Sequence, residues 1–163
     1  MTARILIVDD HDVVLQGLRT FLACRPDWEI CGEAGTGEEA VQAAATLKPD
    51  LVILDITMPG MSGLEAASRI RDLGAQIRIL IFTMHDSPHI AIDVNEAGAH
   101  GFVQKSQASR DLILAVERLL AGDTFFGPGP DSLTRGEERA EPAPKAKAAP
   151  KSDISLYGTV CFA

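Results

Sequence analysis

Short runs of consecutive apolar residues, separated by segments with helical spacing, constrain this chain more than any other feature. The clearest runs are Ile5 to Val8, Leu51 to Leu54, Ile77 to Phe82 and the brief Phe102-Val103. Strands of near-continuous apolar sequence are typical of parallel sheets that are covered on both faces. A weaker run, Trp28 to Ala34, contains two glutamates and a glycine and indicates an edge strand.

Helical patterns fill the intervals between these runs, with apolar residues recurring three and four positions apart. The first stripe consists of Val14, Leu15, Leu18, Phe21 and Leu22, and the last consists of Leu112, Ile113, Val116, Leu119 and Leu120. Parallel strands need crossovers, and these are almost always right-handed, so the helices must cover both faces of the sheet. The sequence therefore predicts an α/β fold with a doubly wound, five-stranded parallel sheet.

The composition changes after Phe126. Residues 127–151 contain five Pro, three Gly and nine charged residues, so this stretch buries too little apolar surface to offset its ordering entropy. We expect one domain in residues 1–126 and a flexible Pro/Ala/Lys-rich tail in residues 127–163. The last ten residues, 154–163, are apolar again; either they dock on a sheet edge or a partner, or they have no function.

The charge and composition exclude some classes of function. Residues 1–126 hold 18 of the 23 acidic residues and 10 of the 15 basic ones, which accounts for the formal net charge of −8. Nucleic-acid binding needs a basic face, so this balance argues against direct DNA binding. With no apolar run near the roughly 18 residues of a membrane span and no room for a signal peptide, we expect a cytoplasmic protein. The cysteines show no metal-binding spacing, and Cys24 and Cys31 are expected to be small buried side chains.

Polar residues follow four of the five predicted strands, at the edge where open α/β sheets bind ligands. Asp9 and Asp10 follow the first strand, Asp55 the third, Thr83 the fourth and Lys105 the fifth. Three adjacent carboxylates repel one another without a cation, and their oxygens suit Mg²⁺. Lysine and threonine side chains bind phosphoryl oxygens. The set predicts that Asp55 accepts a phosphoryl group beside a divalent metal.

Each of these residues also has a simpler explanation. A single Asp after a strand usually belongs to a turn, the Asp9-Asp10 pair could cap the following helix, and an isolated Lys105 is usually solvated. Their joint placement at the ends of different strands favours a functional site. In the turn-rich loop after Asp55, the glycines are expected to keep side chains away from the phosphoryl position, with Met58 and Met61 as packing residues.

The motifs Ile-Val-Asp9-Asp10, Leu-Asp55-Ile-Thr-Met-Pro-Gly-Met-Ser-Gly63, Thr83 and Lys105 together resemble the receiver domain of two-component response regulators. The resemblance covers roughly residues 4–122. Val-Asp-Asp-His11 and Gly-Ala-His-Gly-Phe-Val-Gln-Lys105 are similar to the NarL/FixJ subgroup. The resemblance implies a flavodoxin-like (βα)5 fold with strand order 2-1-3-4-5.

The resemblance also implies a role for each site residue. It implies a Mg²⁺ site formed by Asp9, Asp10, Asp55 and the main-chain carbonyl of Thr57. Asp55 would be the phosphoacceptor and Lys105 would contact the phosphoryl group. Thr83 and Phe102 would turn inward together as the switch, although Phe102 as a plain core aromatic remains equally open.

The function implied is a phosphorelay switch and not an enzyme, apart from its own phosphorylation and the hydrolysis of its aspartyl phosphate. A sensor histidine kinase or phosphotransfer protein would donate the phosphoryl group. An effector would bind the face formed by residues 86–121, and a homodimer is a further arrangement that the resemblance admits.

NarL/FixJ proteins continue into a helix-turn-helix domain, whereas residues 133–139 resemble only its opening before Ala-Pro-Lys repetition begins. A single-domain regulator, a degenerate relative and an altered reading frame all remain open. Two other functions are a constitutive docking module that uses the tail and a haloacid-dehalogenase-type phosphatase. The phosphatase is disfavoured because its Asp-x-Asp motif is replaced here by Asp55-Ile56-Thr57.

Overall fold

The computed structural model describes residues 1–126, in which five strands alternate with five helices. The elements are β1 (Ala3–Val8), α1 (Asp12–Leu22), β2 (Trp28–Ala34), α2 (Gly37–Leu47), β3 (Leu51–Leu54), α3 (Gly63–Leu73), β4 (Arg78–Thr83), α4 (Ile90–Glu96), β5 (Gly101–Gln104) and α5 (Ala108–Leu120). A 3₁₀ turn over Lys105–Gln107 leads from β5 into α5. The predicted tail, residues 127–163, lies outside the described residues.

The sheet is parallel throughout and has the order β2-β1-β3-β4-β5, so the predicted flavodoxin-like topology is confirmed. In the register, Leu54 lies beside Val8 on one side and beside Ile81 on the other. The carboxyl ends of the three central strands are therefore close to level. Residues that directly follow β1 and β3 must lie next to each other at this edge.

Successive strand residues face opposite sides of the sheet, so the strands feed two separate apolar layers. Ile5, Ile7 and Ile53 pack with α1 and α5 on one side. Their neighbours Leu6 and Val52 pack with the other three helices on the opposite side. Because both faces of the central strands are buried, successive residues in them are apolar and do not alternate with polar ones, which explains their unbroken apolar runs.

Local sequence sets the helix boundaries. The Thr36 and Ser62 hydroxyls accept hydrogen bonds from backbone N–H groups in the first turns of α2 and α3, which satisfies donors that lack a partner within the helix. Gly98 and Gly122 follow α4 and α5 with φ angles of 82° and 97°, a left-handed conformation that glycine adopts without steric cost. Both glycines were predicted to end helices, and this prediction is confirmed.

The expectation that Cys24 and Cys31 are buried is wrong, because both are only half-buried. Cys31 lies on β2, an edge strand that is incompletely covered, and Cys24 follows the end of α1. Within residues 1–126, no helix has both the length and the apolar character needed to cross a membrane.

Candidate functional site

The two buried carboxylates of the site are held by the backbone of the sheet. Asp9 and Asp55 directly follow β1 and β3, and they are 1% and 4% exposed. The Asp55 N–H donates to the carbonyl of Val8 (3.0 Å), and the Asp9 N–H donates to the carbonyl of Ala34 (3.1 Å). Both carboxylates are thus fixed in place by the neighbouring strand. Asp10 lies closer to solvent, with 26% of its side chain exposed.

Lys105 brings a positive charge to both buried carboxylates. Its Nζ is 2.6 Å from Asp9 Oδ2 and 3.5 Å from Asp55 Oδ1, and only 10% of the lysine side chain is exposed. The alternative of a solvated lysine is therefore wrong. The Nζ also lies 5.9 Å from the centre of the Phe82 ring, which covers one side of the ammonium group.

The charge state of Asp55 reflects competing influences. Burial raises the pKa of the Asp55 carboxyl above its ordinary value, because the charged form loses hydration. The Lys105 ammonium lowers this pKa, while the nearby Asp9 carboxylate raises it further. The net shift of the Asp55 pKa is upward, so the site disfavours the ionised form of this carboxyl. An additional cation would favour the ionised form.

The acidic cluster also includes a histidine that sequence reasoning missed. Ligand atoms of Asp9, Asp10, His11 and Asp55 all lie within 4.8 Å of one another. The Nδ1 of His11 is 2.9 Å from Asp10 Oδ1 and 3.1 Å from Asp9 Oδ1. The only signal in the sequence was the position of His11 directly after the two aspartates.

Helix capping does not account for the Asp9-Asp10 pair. The helix α1 has His11 as its N-cap residue and no side-chain hydrogen bond at this cap. Asp9 Oδ1 instead accepts a hydrogen bond from the His11 backbone N–H, just before the helix (2.9 Å). With a donor set dominated by carboxylate oxygens, the cluster fits a hard cation such as Mg²⁺.

Thr57 lies in the loop after β3, and Thr83 is the last residue of the neighbouring strand β4. The Thr83 side chain is fully buried, and its hydroxyl accepts a hydrogen bond from the His85 backbone N–H (3.0 Å). The ring Nε2 of His85 is 2.8 Å from Thr57 Oγ1, so the loops after β3 and β4 are joined. This link was not predicted. The assignment of the Thr57 carbonyl to a metal stays a prediction.

The loop after Asp55 packs closely behind it. A Cβ at Gly63 would lie 1.8 Å from the main-chain oxygen of Asp55, while Gly60 faces the side chain of Glu38. Gly63 therefore leaves room for the Asp55 backbone, and Gly60 leaves room for the Glu38 side chain. The expectation that these glycines keep side chains away from the phosphoryl position is wrong. Met58 and Met61 are buried in the core, as predicted.

Phe102 points into the core and is 7% exposed. It belongs to the apolar layer beneath α2, α3 and α4, and its ring meets that of Phe126 edge-on, with centroids 6.5 Å apart. A core aromatic and an inward switch residue share this placement, so both descriptions of Phe102 stand.

A five-stranded parallel sheet with a buried lysine between acidic strand ends defines a flavodoxin-like domain with a charged site at its carboxyl edge. The family model for the response regulator receiver domain matches residues 5–117. This chain belongs to the response regulator receiver domain family.

The relatives fall in the NarL/LuxR group of response regulators. The nitrate/nitrite response regulator NarL of Escherichia coli is 34% identical over 121 residues, which are 74% of this chain and 56% of that protein. VraR of Staphylococcus aureus is 34% identical over 128 residues, 78% of this chain and 61% of that protein. The chain thus spans little more than half the length of these relatives.

Solved structures give the same result. A LuxR-family two-component response regulator from Aurantimonas sp. aligns with a TM-score of 0.75 and 41% identity, over 78% of this chain and 91% of that one. The receiver domain of RcsB from Salmonella enterica, determined with the phosphomimetic BeF₃⁻, aligns with a TM-score of 0.73 and 26% identity, over 79% and 96% of the two chains. These matches support a role in two-component signalling.

Proposed function

We propose that this protein is a phosphorylation-dependent signalling switch in which Asp55 accepts a phosphoryl group with the help of Mg²⁺. The observation that carries the proposal is the position of the Lys105 ammonium group, within ion-pair distance of two buried carboxylates from different strands. A structural ion pair needs one acid for one base. The second buried carboxylate, with a raised pKa, is better explained as a reactive group.

The chemistry is a transfer between two side chains. An Asp55 carboxylate oxygen attacks the phosphorus of a phosphohistidine on a sensor kinase or phosphotransfer protein. The O–P bond forms as the P–N bond breaks, and the released imidazole takes up a proton. Lys105 can balance the charge of the transferred group, and the rigid strand ends hold Asp55 in position for attack. Water later hydrolyses the aspartyl phosphate and resets the switch.

Asp9, Asp10 and Asp55, with the Thr57 carbonyl, are the residues that would hold Mg²⁺. When bound, the ion supplies positive charge that neutralises the carboxylates and the phosphoryl oxygens. The Lys105 ammonium and the His11 ring already contact the two carboxylate oxygens of Asp9. Asp9 is therefore the residue that the lysine, the histidine and the metal would share.

The output is a change in the populations of two conformations, read by other proteins. Thr83 ends β4 and Phe102 lies on the adjacent strand β5, so a movement of Thr83 towards the phosphoryl group would be transmitted to β5. We propose that an effector binds the face of residues 86–121 and that residues 1–126 make up the receiver domain.

Phosphorylation with a small acyl phosphate and Mg²⁺ tests the proposal. Intact-mass analysis should show the addition of one phosphoryl group to the wild-type protein, and none to Asp55→Asn. Asp12→Asn is the matched control, because Asp12 is an exposed carboxylate beside the site but outside the acidic cluster. Labelling that persists in Asp55→Asn, or that is absent from wild type, rejects Asp55 as the phosphoacceptor.

A further inference from the structure

After α5, the chain returns to the free edge of β5. The Phe125 N–H donates to the His100 carbonyl (3.0 Å), and the Phe102 N–H donates to the Phe125 carbonyl (2.8 Å). Phe125 thereby forms a parallel bridge with Gly101. We call residues 123–126 the edge strap, because they cover the β5 edge of the sheet.

The edge strap is seated closely against β5. A Cβ at Gly101 would lie 2.1 Å from the Phe125 carbonyl oxygen, so the approach depends on glycine at this position. Neighbouring strand residues face opposite sides of a sheet, and the two phenylalanines follow this rule. Phe125 packs against the apolar layer of α1 and α5, whereas Phe126 packs against the opposite layer.

Phe126 therefore lies on the same side of the sheet as Phe102. Its ring contacts Phe102 edge-on, and Phe102 pairs with Ile81 across the β4–β5 ladder. Thr83 lies two residues beyond Ile81, so its side chain leaves the strand on that same face. Phe126 is thus linked to Phe102 by a ring contact, and Phe102 is linked by the β4–β5 ladder to the strand that ends at Thr83.

We propose that Phe126 is a positioning residue for the Asp55 site, which acts by holding Phe102 inward and so favouring the inward position of Thr83. This inference rests on the proposed function. It adds a residue outside β4 and β5 to the switch, and it makes attachment of the edge strap part of the phosphorylated conformation. Because coupling between two sites is reciprocal, a phosphoryl group at Asp55 should in turn stabilise the edge strap.

Matched substitutions of the two strap phenylalanines test the proposal. Phe126→Leu removes the ring contact with Phe102, while Phe125→Leu makes the same change in the opposite layer. The readout is the affinity for beryllofluoride with Mg²⁺, measured by calorimetry. Phe126→Leu should weaken binding about two- to tenfold, the range expected from an aromatic pair. Phe125→Leu should leave the affinity unchanged. Phe126→Tyr keeps an aromatic ring at this position and should bind beryllofluoride as tightly as the wild type. Equal affinities for the two leucine variants would overturn the role of Phe126.

Hydrogen exchange on the unmodified protein gives a second test that needs no variant. Beryllofluoride should slow exchange of the Phe102 and Phe125 amides, whose hydrogen bonds attach the edge strap. Unchanged exchange in a protein that binds beryllofluoride overturns the strap proposal alone. A wild-type protein that neither binds beryllofluoride nor is phosphorylated at Asp55 overturns the proposed function and the strap proposal together.

Discussion

Replacement of Lys105 by methionine gives the most direct test of the electrostatic description of the site. The change removes the ammonium group while keeping a long aliphatic side chain. Its Nζ is 2.6 Å from Asp9 and 3.5 Å from Asp55. With an effective dielectric constant of about 20, these distances give attractions of about 6 and about 5 kcal/mol before desolvation is counted.

Desolvation offsets much of this attraction, so the net effect is smaller. Loss of one partner from a buried ion pair typically costs about 3–5 kcal/mol, because the other charge stays buried without compensation. Lys105 is 10% exposed and its partners are nearly inaccessible, which places the pair in this regime. We expect Lys105→Met to lower the free energy of unfolding at pH 7 by about 3 kcal/mol.

Urea unfolding followed by circular dichroism, in the presence of a chelator, measures this loss. Lys48→Met is the matched control, because Lys48 is exposed and is the other lysine within residues 1–126. Its replacement changes the net charge equally but should leave stability nearly unchanged. Mg²⁺ should restore part of the stability of Lys105→Met, since it supplies positive charge to the same carboxylates.

The pH dependence has a defined sign. Burial raises the pKa of Asp55 and Lys105 lowers it, so the pKa of Asp55 should rise further in Lys105→Met. The destabilisation should then be largest at neutral pH and should shrink as pH falls through the raised pKa, where Asp55 becomes neutral. A Lys105→Met protein as stable as wild type at pH 7 without metal would refute this electrostatic description.

Three further predictions concern other residues. Gly63→Ala should lower the free energy of unfolding by about 1–3 kcal/mol or more, the range typical of overpacking, because the new Cβ would meet the Asp55 backbone. Urea midpoints measure this loss. Asp55→Asn should be more stable than wild type at pH 7, and the advantage should disappear as pH falls through the raised pKa of Asp55; a constant difference across pH would contradict this. Burial, and then Arg78, lower the pKa of His100, so wild-type stability should fall as pH drops below about 6.5. His100→Asn should make stability less dependent on pH in the same denaturation series. The side-chain carbonyl of the new asparagine can still accept the hydrogen bond from the Ile79 N–H, so the packing is kept.

The sheet and the principal site residues could be predicted because both follow from strand burial. Near-continuous apolar runs are typical of parallel strands covered on two sides, and parallel strands place the residues that follow them on one edge. Asp9, Asp55 and Lys105 were brought together by this reasoning alone, and the structure places them in contact. Their chemical roles remain proposals, because position does not establish reactivity.

Contacts that depend on loop paths and side-chain rotation could not be predicted. The sequence gives no indication that the His11 ring folds back onto Asp10, or that His85 reaches Thr57 from the next loop. The edge strap was also missed, because its single bridge is too short to produce a strand pattern. The half-exposure of Cys31 follows from incomplete cover of an edge strand, which an apolar count does not reveal.

The ion pair between Asp9 and Lys105 joins residues that are 96 positions apart, and this separation has a consequence for the order of folding. Contacts between distant residues are slow to form because a long loop must close first. During synthesis, β1 and β3 can pair before β5, which begins at Gly101, has emerged. A partly folded chain without β5 would lack the ammonium partner of Asp9 and Asp55, so the acidic end of the sheet gains its full stability only when the last strand docks.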